Sequence, residues 1–145
     1  MMKHTFLALG ALAVTMATGL STAQAGGSSV AIEQYGWGNG IGVGQKGYKN
    51  RVTIYQYGRA NSAISSQNGA RNVVVVGQTG SNNRSNTSQY GRNNITGVAQ
   101  FGSGHTVVTS QDGSGNAVGV IQAGRNNHAS SRQVGAGNVS VIVQD

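Results

Sequence analysis

The stretch that decides the fold is Gln56-Tyr57-Gly58-Arg59-Ala60-Asn61, which reads Q-x-G-x-x-N. This motif recurs every eleven residues, without insertion or deletion, from Gln34 to Gln144. Self-similarity at a fixed short period is typical of repeat proteins, in which each unit stacks on its neighbour. The sequence therefore predicts a stacked array.

Three columns of recurring residues define the repeat and are its candidate structural positions. The glutamine column consists of Gln34, Gln45, Gln56, Gln67, Gln78, Gln89, Gln100, Gln111, Gln122, Gln133 and Gln144. The glycine column, two residues further on, consists of Gly36, Gly47, Gly58, Gly69, Gly80, Gly91, Gly102, Gly113, Gly124 and Gly135. The asparagine column consists of Asn39, Asn50, Asn61, Asn72, Asn83, Asn94, Asn116, Asn127 and Asn138, with His105 in the one remaining place.

The amino-terminal part of the 145-residue chain has a different character from the repeats. Lys3 and His4 precede a mostly apolar stretch over residues 5–20, and Ala23-Gln24-Ala25 is a small-x-small cleavage site. This pattern predicts a secretory signal peptide over residues 1–25. Residues 26–145 are then a single repeat domain, with repeats at 28–49, 50–71, 72–93, 94–115 and 116–137 and a partial repeat at 138–145.

The repeat domain is built mainly from Gly, Asn, Gln, Ser, Val and Ile, and it contains no Leu, Met, Pro or Cys. Good helix formers are scarce and β-branched residues are plentiful, so the composition favours β-strands over helices. Without cysteine no disulfide can stabilise the exported chain. Stability must come from backbone and side-chain hydrogen bonds instead.

Each eleven-residue unit divides into a turn and a strand. We expect the turn to be the four residues between Gln and Asn, with its glycine at positive φ, and the strand to be the seven residues from Asn to the next Gln. Alternate residues of a strand share one face, so Val52 and Ile54 point inward with the amides while Arg51 and Tyr55 point to water.

A second period of twenty-two residues lies within the first, because bulky inward pairs such as Val74/Val76 alternate with mostly small pairs such as Ser85/Thr87. The predicted fold is all-β: a β-solenoid of cross-β type with strand-turn-strand-turn repeats and two facing parallel sheets, six strands in one and five in the other. Ile41/Val43 is an exception at the amino end.

Stacking places each inward Gln over a Gln and each Asn over an Asn, so their amides can pair along the stack and avoid the cost of burying an unpaired polar group. We expect His105 to interrupt the asparagine column and to stabilise the stack less than an asparagine would. The repeat runs almost to both ends of the predicted mature chain, and no capping segment is visible. Open strand edges favour end-to-end addition of copies into a cross-β fibre.

This pattern resembles the repeat of curlin, the subunit family of bacterial curli amyloid fibres. Residues 28–39 fit the first half of that repeat, and residues 52–67 fit nearly all of it. The resemblance implies a secreted structural subunit that self-assembles into extracellular cell-surface fibres for biofilm matrix, adhesion and colonisation. It implies partners as well: other copies, another curlin subunit, and the curli secretion channel with its accessory proteins. The family has a fibre-forming major subunit and a nucleating minor subunit, and the pattern favours the first.

The net charge of +7 adds a second expectation about partners. Scattered basic residues would attract anionic polysaccharide, lipopolysaccharide or extracellular DNA, although charge can also simply keep an aggregation-prone chain soluble. Asp112 is a candidate gatekeeper, since a charge in a turn of a β-prone chain slows self-association. The aromatics after Gln (Tyr35, Tyr57, Tyr90, Phe101) are read as packing between coils, or as a stripe for dyes or polysaccharide.

Other classes of function have less support. A monomeric solenoid that binds ice or polysaccharide remains an alternative, but the outward positions form no uniform threonine ladder. Three acidic residues give no acid/base pair, and His105 and His128 lack metal-ligand spacing, so we expect no catalytic residue, no metal site and no cofactor. The G-x-G-x-x-G at residues 42–47 follows from the repeat and lacks the helix that a nucleotide fingerprint needs.

Overall fold

A computed structural model describes residues 26–145, so the predicted signal peptide lies outside the described part of the chain. These residues form eleven strands and no helix. The strands are β1 (Ser29–Trp37), β2 (Gly40–Tyr48), β3 (Arg51–Arg59), β4 (Ser62–Ala70), β5 (Val73–Ser81), β6 (Arg84–Arg92), β7 (Ile95–Ser103), β8 (Thr106–Ser114), β9 (Ala117–Arg125), β10 (His128–Ala136) and β11 (Val139–Gln144). Among these residues there is no helix long and apolar enough to span a membrane.

The strands alternate between two parallel sheets. The six-stranded sheet has the order β1-β3-β5-β7-β9-β11, and the five-stranded sheet has the order β2-β4-β6-β8-β10. Neighbouring strands are in register over the twenty-two-residue repeat, so that Gln56 lies beside Gln78 and Gly58 beside Gly80. The predicted β-solenoid with two facing parallel sheets is confirmed.

The strands are longer than the sequence predicts, and the turns are correspondingly shorter. Ten strands have nine residues and run three residues past Gln, and eight of them begin one residue after Asn, as in β3. The expected four-residue turn is wrong, because pairing continues through the glycine column, where Gly58 stays in register with Gly80. The bend is confined to the last two residues of the motif, such as Ala60-Asn61.

The first of these two corner residues is in the left-handed region of backbone conformation. Lys49, Ala60 and Arg71 have φ of 54°, 53° and 56°. A non-glycine residue pays about 1 kcal/mol for this conformation, and the corner compensates with backbone hydrogen bonds to the adjacent coil. The N–H of Ala60, for example, donates to the carbonyl of Trp37 at 3.0 Å. The backbone ladder therefore continues around each corner.

The core is a thin layer between the sheets, and its two sides differ in size. Val52, Ile54, Val74 and Val76 on the six-stranded sheet are fully buried. The five-stranded sheet contributes smaller side chains such as Ala63, so bulky residues face small ones. Ile41 and Val43 are only partly buried at the amino end of the array.

Three core hydroxyls, those of Ser65, Ser85 and Thr109, are buried without a hydrogen-bond partner in the described residues. All three belong to the five-stranded sheet. An unpaired buried hydroxyl costs roughly 1–3 kcal/mol. These three positions therefore contribute to the core through their small volume, and not through hydrogen bonds.

The glycine column is required by close contact between coils. Gly80 has a φ of 116°, and a Cβ at this position would lie 1.9 Å from the carbonyl oxygen of Gly102 in the next coil. The backbones of adjacent coils approach too closely here for any side chain. The recurring glycine thus sets the spacing of the stack.

We expect Gly80→Ala to lower the free energy of unfolding by about 3 kcal/mol or more, because it combines backbone strain with a backbone clash. Gly77→Ala is the matched control in the same strand, since Gly77 has ordinary φ and its Cβ would lie 4.0 Å from the nearest atom, the carbonyl oxygen of Val98. Denaturant unfolding of the purified repeat domain measures both changes. Equal stability of the two variants would contradict this role.

Candidate functional site: the amide ladders and the array edges

The glutamine column forms two continuous ladders of side-chain hydrogen bonds, one on each sheet. On the six-stranded sheet each Nε2 donates to the Oε1 of the glutamine one coil further on; the distances are 2.7 Å for Gln34 to Gln56 and 2.8 Å for Gln56 to Gln78. The ladder continues to Gln144, and the five-stranded sheet carries an equivalent ladder from Gln45 to Gln133. All bonds point the same way, so the amide dipoles are aligned and reinforce one another.

The second N–H of each amide joins the two sheets. Gln78 Nε2 donates to the carbonyl of Ser62 at 3.0 Å, and Gln67 Nε2 donates to the carbonyl of Arg51 at 3.1 Å. In both cases the acceptor is the first residue of a strand in the opposite sheet. The interior glutamines therefore use both donors although they are buried, which removes the penalty for burying an amide.

The asparagine column uses its amides differently from the glutamine column. Asn72 Oδ1 accepts the backbone N–H of Asn94 at 3.1 Å, and its Nδ2 donates to the carbonyl of Gly91 at 2.9 Å. Direct bonds between asparagine side chains occur at two steps, from Asn72 to Asn50 and from Asn138 to Asn116. Asparagine therefore mainly binds the backbone of the next corner and holds the glycine carbonyls in place.

His105 replaces asparagine at one buried rung. Its Nδ1 accepts the backbone N–H of Asn127 at 3.2 Å, and its Nε2 lies 3.1 Å from the carbonyl of Phe101. An acceptor at Nδ1 requires the proton to sit on Nε2, so the neutral ring imitates the polarity of an asparagine amide. Among the described residues it makes no counterpart of the bond from Asn94 Nδ2 to the carbonyl of Gly113. His105 therefore keeps the direction of the hydrogen bonds along this column, but it makes one hydrogen bond fewer than Asn94 does.

The two edges of the described array have opposite hydrogen-bonding character. At the β1/β2 edge, the Oε1 atoms of Gln34 and Gln45 have no ladder donor within residues 26–145. At the β10/β11 edge, the Nε2 atoms of Gln133 and Gln144 bond only the backbone carbonyls of Ala117 and His128, which leaves one N–H each. One edge therefore presents acceptors where the other presents donors.

Comparison with known proteins adds a finding about the family. A model of the curlin associated repeat matches residues 59–91, which contain two glutamine rungs on the five-stranded sheet and one on the other. The chain carries the curlin associated repeat. The predicted resemblance to curlin is thereby confirmed. No curated protein matches the sequence. The curlin repeat and the β-solenoid are features of the protein's architecture, and neither describes a chemical reaction.

The aromatic residues that follow glutamine do not form one row. Tyr35 and Tyr57 stack on the six-stranded sheet with ring centroids 5.8 Å apart, but Thr79 separates them from Phe101. Tyr90 lies on the opposite sheet. Glu33, as hydrogen-bond partner and as a negative charge, raises the pKa of Tyr35. Tyr35, Tyr57 and Phe101 line a shallow groove of about 160 Å³, and the four rings form no stripe along the array.

Of the other candidate positions, Asp112 is exposed within β8, between Tyr90 and Val134 of the neighbouring strands. Its side chain points outward, away from the ladders. Within the described part of the chain, no group of three or more His, Cys, Asp or Glu side chains could hold a metal ion.

We expect Gln78→Leu to lower the free energy of unfolding by roughly 3 kcal/mol, because it leaves an N–H of Gln56 and the Oε1 of Gln100 buried without partners. Gln34→Leu is the matched control: Gln34 is half-buried at the edge and bonds one ladder neighbour. Its cost should be below about 1 kcal/mol. Denaturant unfolding compares the two, and equal losses would argue against a cooperative interior ladder.

We expect His105→Asn to raise the free energy of unfolding by about 1 kcal/mol, because asparagine restores the missing bond to the next coil. His128→Asn is the control, since His128 is exposed at the start of β10 and should change nothing. Thermal or denaturant unfolding of both variants measures the difference. A loss of stability in His105→Asn would show that the ring packs better than the amide.

Proposed function

We propose that this chain is a structural subunit that polymerises head to tail into an extracellular curli-type amyloid fibre. The observation that carries the proposal is the opposite character of the two edges of the described array. Donors at Gln133 and Gln144 meet acceptors at Gln34 and Gln45 when a second copy stacks on the first. A contact between two different surfaces of identical copies generates an open filament unless it closes into a ring.

The order of the strands in the two sheets supports the same head-to-tail direction of assembly. Within residues 26–145, β1 and β2 end the sheets on one side and β10 and β11 end them on the other. Unpaired strand edges bind further strands readily. Each added copy would extend both sheets in the parallel register that already joins β3 to β5. Assembly between copies then repeats the interaction that stabilises one copy.

The curlin repeat supports the wider biological proposal. We place the chain outside the cell as a surface fibre in biofilm matrix, adhesion and colonisation, exported by means of the predicted signal peptide and the curli secretion channel. Anionic polysaccharide, lipopolysaccharide and extracellular DNA are proposed as further partners, on the basis of the net charge of +7.

A second role follows from the uniformity of the columns. Because every rung presents the same glutamine and glycine backbone pattern, the edge of this array would accept any chain with the same eleven-residue register. The chain could therefore nucleate a different curlin subunit. Adding it in substoichiometric amounts to a partner curlin and timing fibre growth separates nucleation from polymerisation of the chain alone.

The decisive test is incubation of the purified repeat domain, followed by thioflavin fluorescence and fibre diffraction. We expect fibres with a meridional reflection near 4.8 Å, because strands stack along the axis at this spacing. Preformed fragments should seed fresh protein. A chain that remains a monomer for days at high concentration, with or without seeds, would instead be a soluble solenoid, and the proposal would be wrong.

Asp112→Asn should shorten the lag of fibre formation about twofold if this carboxylate slows self-association. Glu33→Gln is the control, because both changes remove one negative charge and raise the net charge by one. A higher net charge by itself increases repulsion between copies and lengthens the lag. Opposite shifts in the two variants would support the gatekeeper, whereas a longer lag in both would show a simple charge effect.

A further inference from the structure

The outer face of the six-stranded sheet is divided into a charged part and an uncharged part. The outward residues of β5, β7, β9 and β11, here called the apolar face, carry no charge apart from Arg125 at the end of β9. Ile95 and Ile121 on this face are 53% and 46% exposed. Large side chains in water at the centre of a sheet indicate a surface that another body covers.

The rest of the surface is different. The outward positions of β1 and β3 include Glu33, Arg51 and Arg59. The five-stranded sheet carries Arg84 on β6 and Arg132 on β10. Two copies with a net charge of +7 repel each other across most orientations. The apolar face is a four-strand uncharged part of the described surface, on which they can approach closely.

Two glycines form a trough in this face. Gly97 and Gly119 are neighbours on β7 and β9, and with Val75 and Ile121 they line an open depression of about 320 Å³. The backbone does not require glycine here, because Gly97 has ordinary φ and a Cβ on it would meet nothing within 4 Å. Glycine inside a strand weakens the strand and often marks close approach of another chain. The trough therefore indicates that another molecule contacts this face of the solenoid.

We propose that the apolar face is the lateral interface between two solenoids of this chain, paired face to face in a fibre. This inference rests on the proposed function, because it requires copies already joined end to end. The Ile121 side chain, at the rim of the trough, would enter the trough of the facing copy. A partner with the same spacing between strands can repeat this contact at regular intervals along its length, and a second fibre of this chain has that spacing.

The area of the face explains why pairing depends on the fibre. Four strands about 4.8 Å apart, each exposing about 20 Å of strand, give roughly 400 Å² per copy. A stable complex buries about 800 Å² on each partner. Single copies should therefore remain unpaired in solution, whereas a row of copies presents the contact many times and pairs stably.

The test compares Gly97→Lys with Gly44→Lys in the full repeat domain. Lysine at Gly97 places a cation in the trough, and lysine at Gly44 lies on the outer face of the five-stranded sheet; neither Cβ meets an atom within 4 Å. Unstained fibres are measured by scanning transmission electron microscopy for mass per unit length. We expect wild-type and Gly44→Lys fibres to have twice the mass per length of Gly97→Lys fibres.

The outcomes separate this inference from the proposed function. One solenoid has the mass of twenty-two residues for every 4.8 Å or so of fibre, and a pair has twice that value. Wild-type fibres with the single value would overturn the pairing while leaving the fibre intact, whether or not Gly97→Lys assembles. A double value retained in Gly97→Lys would overturn it as well. Absence of wild-type fibres would remove the proposed function and this inference together.

A lipid surface is the other body that an apolar face could contact, and the same variants exclude or establish it. Freshly purified monomer is mixed with zwitterionic phosphatidylcholine vesicles and sedimented. We expect no binding by wild type or by either variant. Binding that Gly97→Lys abolishes and Gly44→Lys retains would assign the face to lipid and overturn the pairing of solenoids.

Discussion

The hydrogen bond from one glutamine amide to the identical amide of the next coil is the constraint on which this structure depends. A buried amide must find partners for both its donors and its acceptor. Here the identical residue twenty-two positions earlier donates to its oxygen, and the one twenty-two positions later accepts one of its N–H groups. A single inserted residue would turn the amide to the opposite face of the strand. The constant period of the sequence is therefore a requirement of the ladder.

The same constraint links the fold of one copy to assembly. Inside the chain, Gln122 donates to Gln144; at the edge, Gln144 retains an N–H for a further glutamine. Folding thus forms eleven strands with one repeating pattern, and the edge strands of the described array carry that pattern as the interior strands do. The core by itself does little to select one partner strand over another, because it is one side chain deep on each sheet and includes three unpaired hydroxyls. In the proposed fibre, stability and polymerisation would draw on the same bonds, so mutations in the ladder should affect both.

The outer faces carry the differences that the interior lacks. Inside, the glutamine rungs repeat from coil to coil; outside, β3 exposes Arg51 and Tyr55, whereas β7 exposes Ile95 and Gly97. Outward residues are free to vary because neighbouring coils touch through the backbone and the inward side chains. The repeats therefore differ in charge mainly on their outer faces, where the proposed lateral contact and the proposed gatekeeper also lie.

The sequence by itself determined the period, the inward and outward faces, the two parallel sheets and the ladder of glutamines, because identical residues at a fixed spacing allow few arrangements. Only the tertiary structure decided how tight the corners are, with left-handed residues such as Ala60 and Arg71 that no local rule favours. It also decided that Asn72 binds the next corner's backbone and that His105 can imitate an amide. These features depend on the distance between adjacent coils, which is a property of the stack and not of any eleven-residue segment.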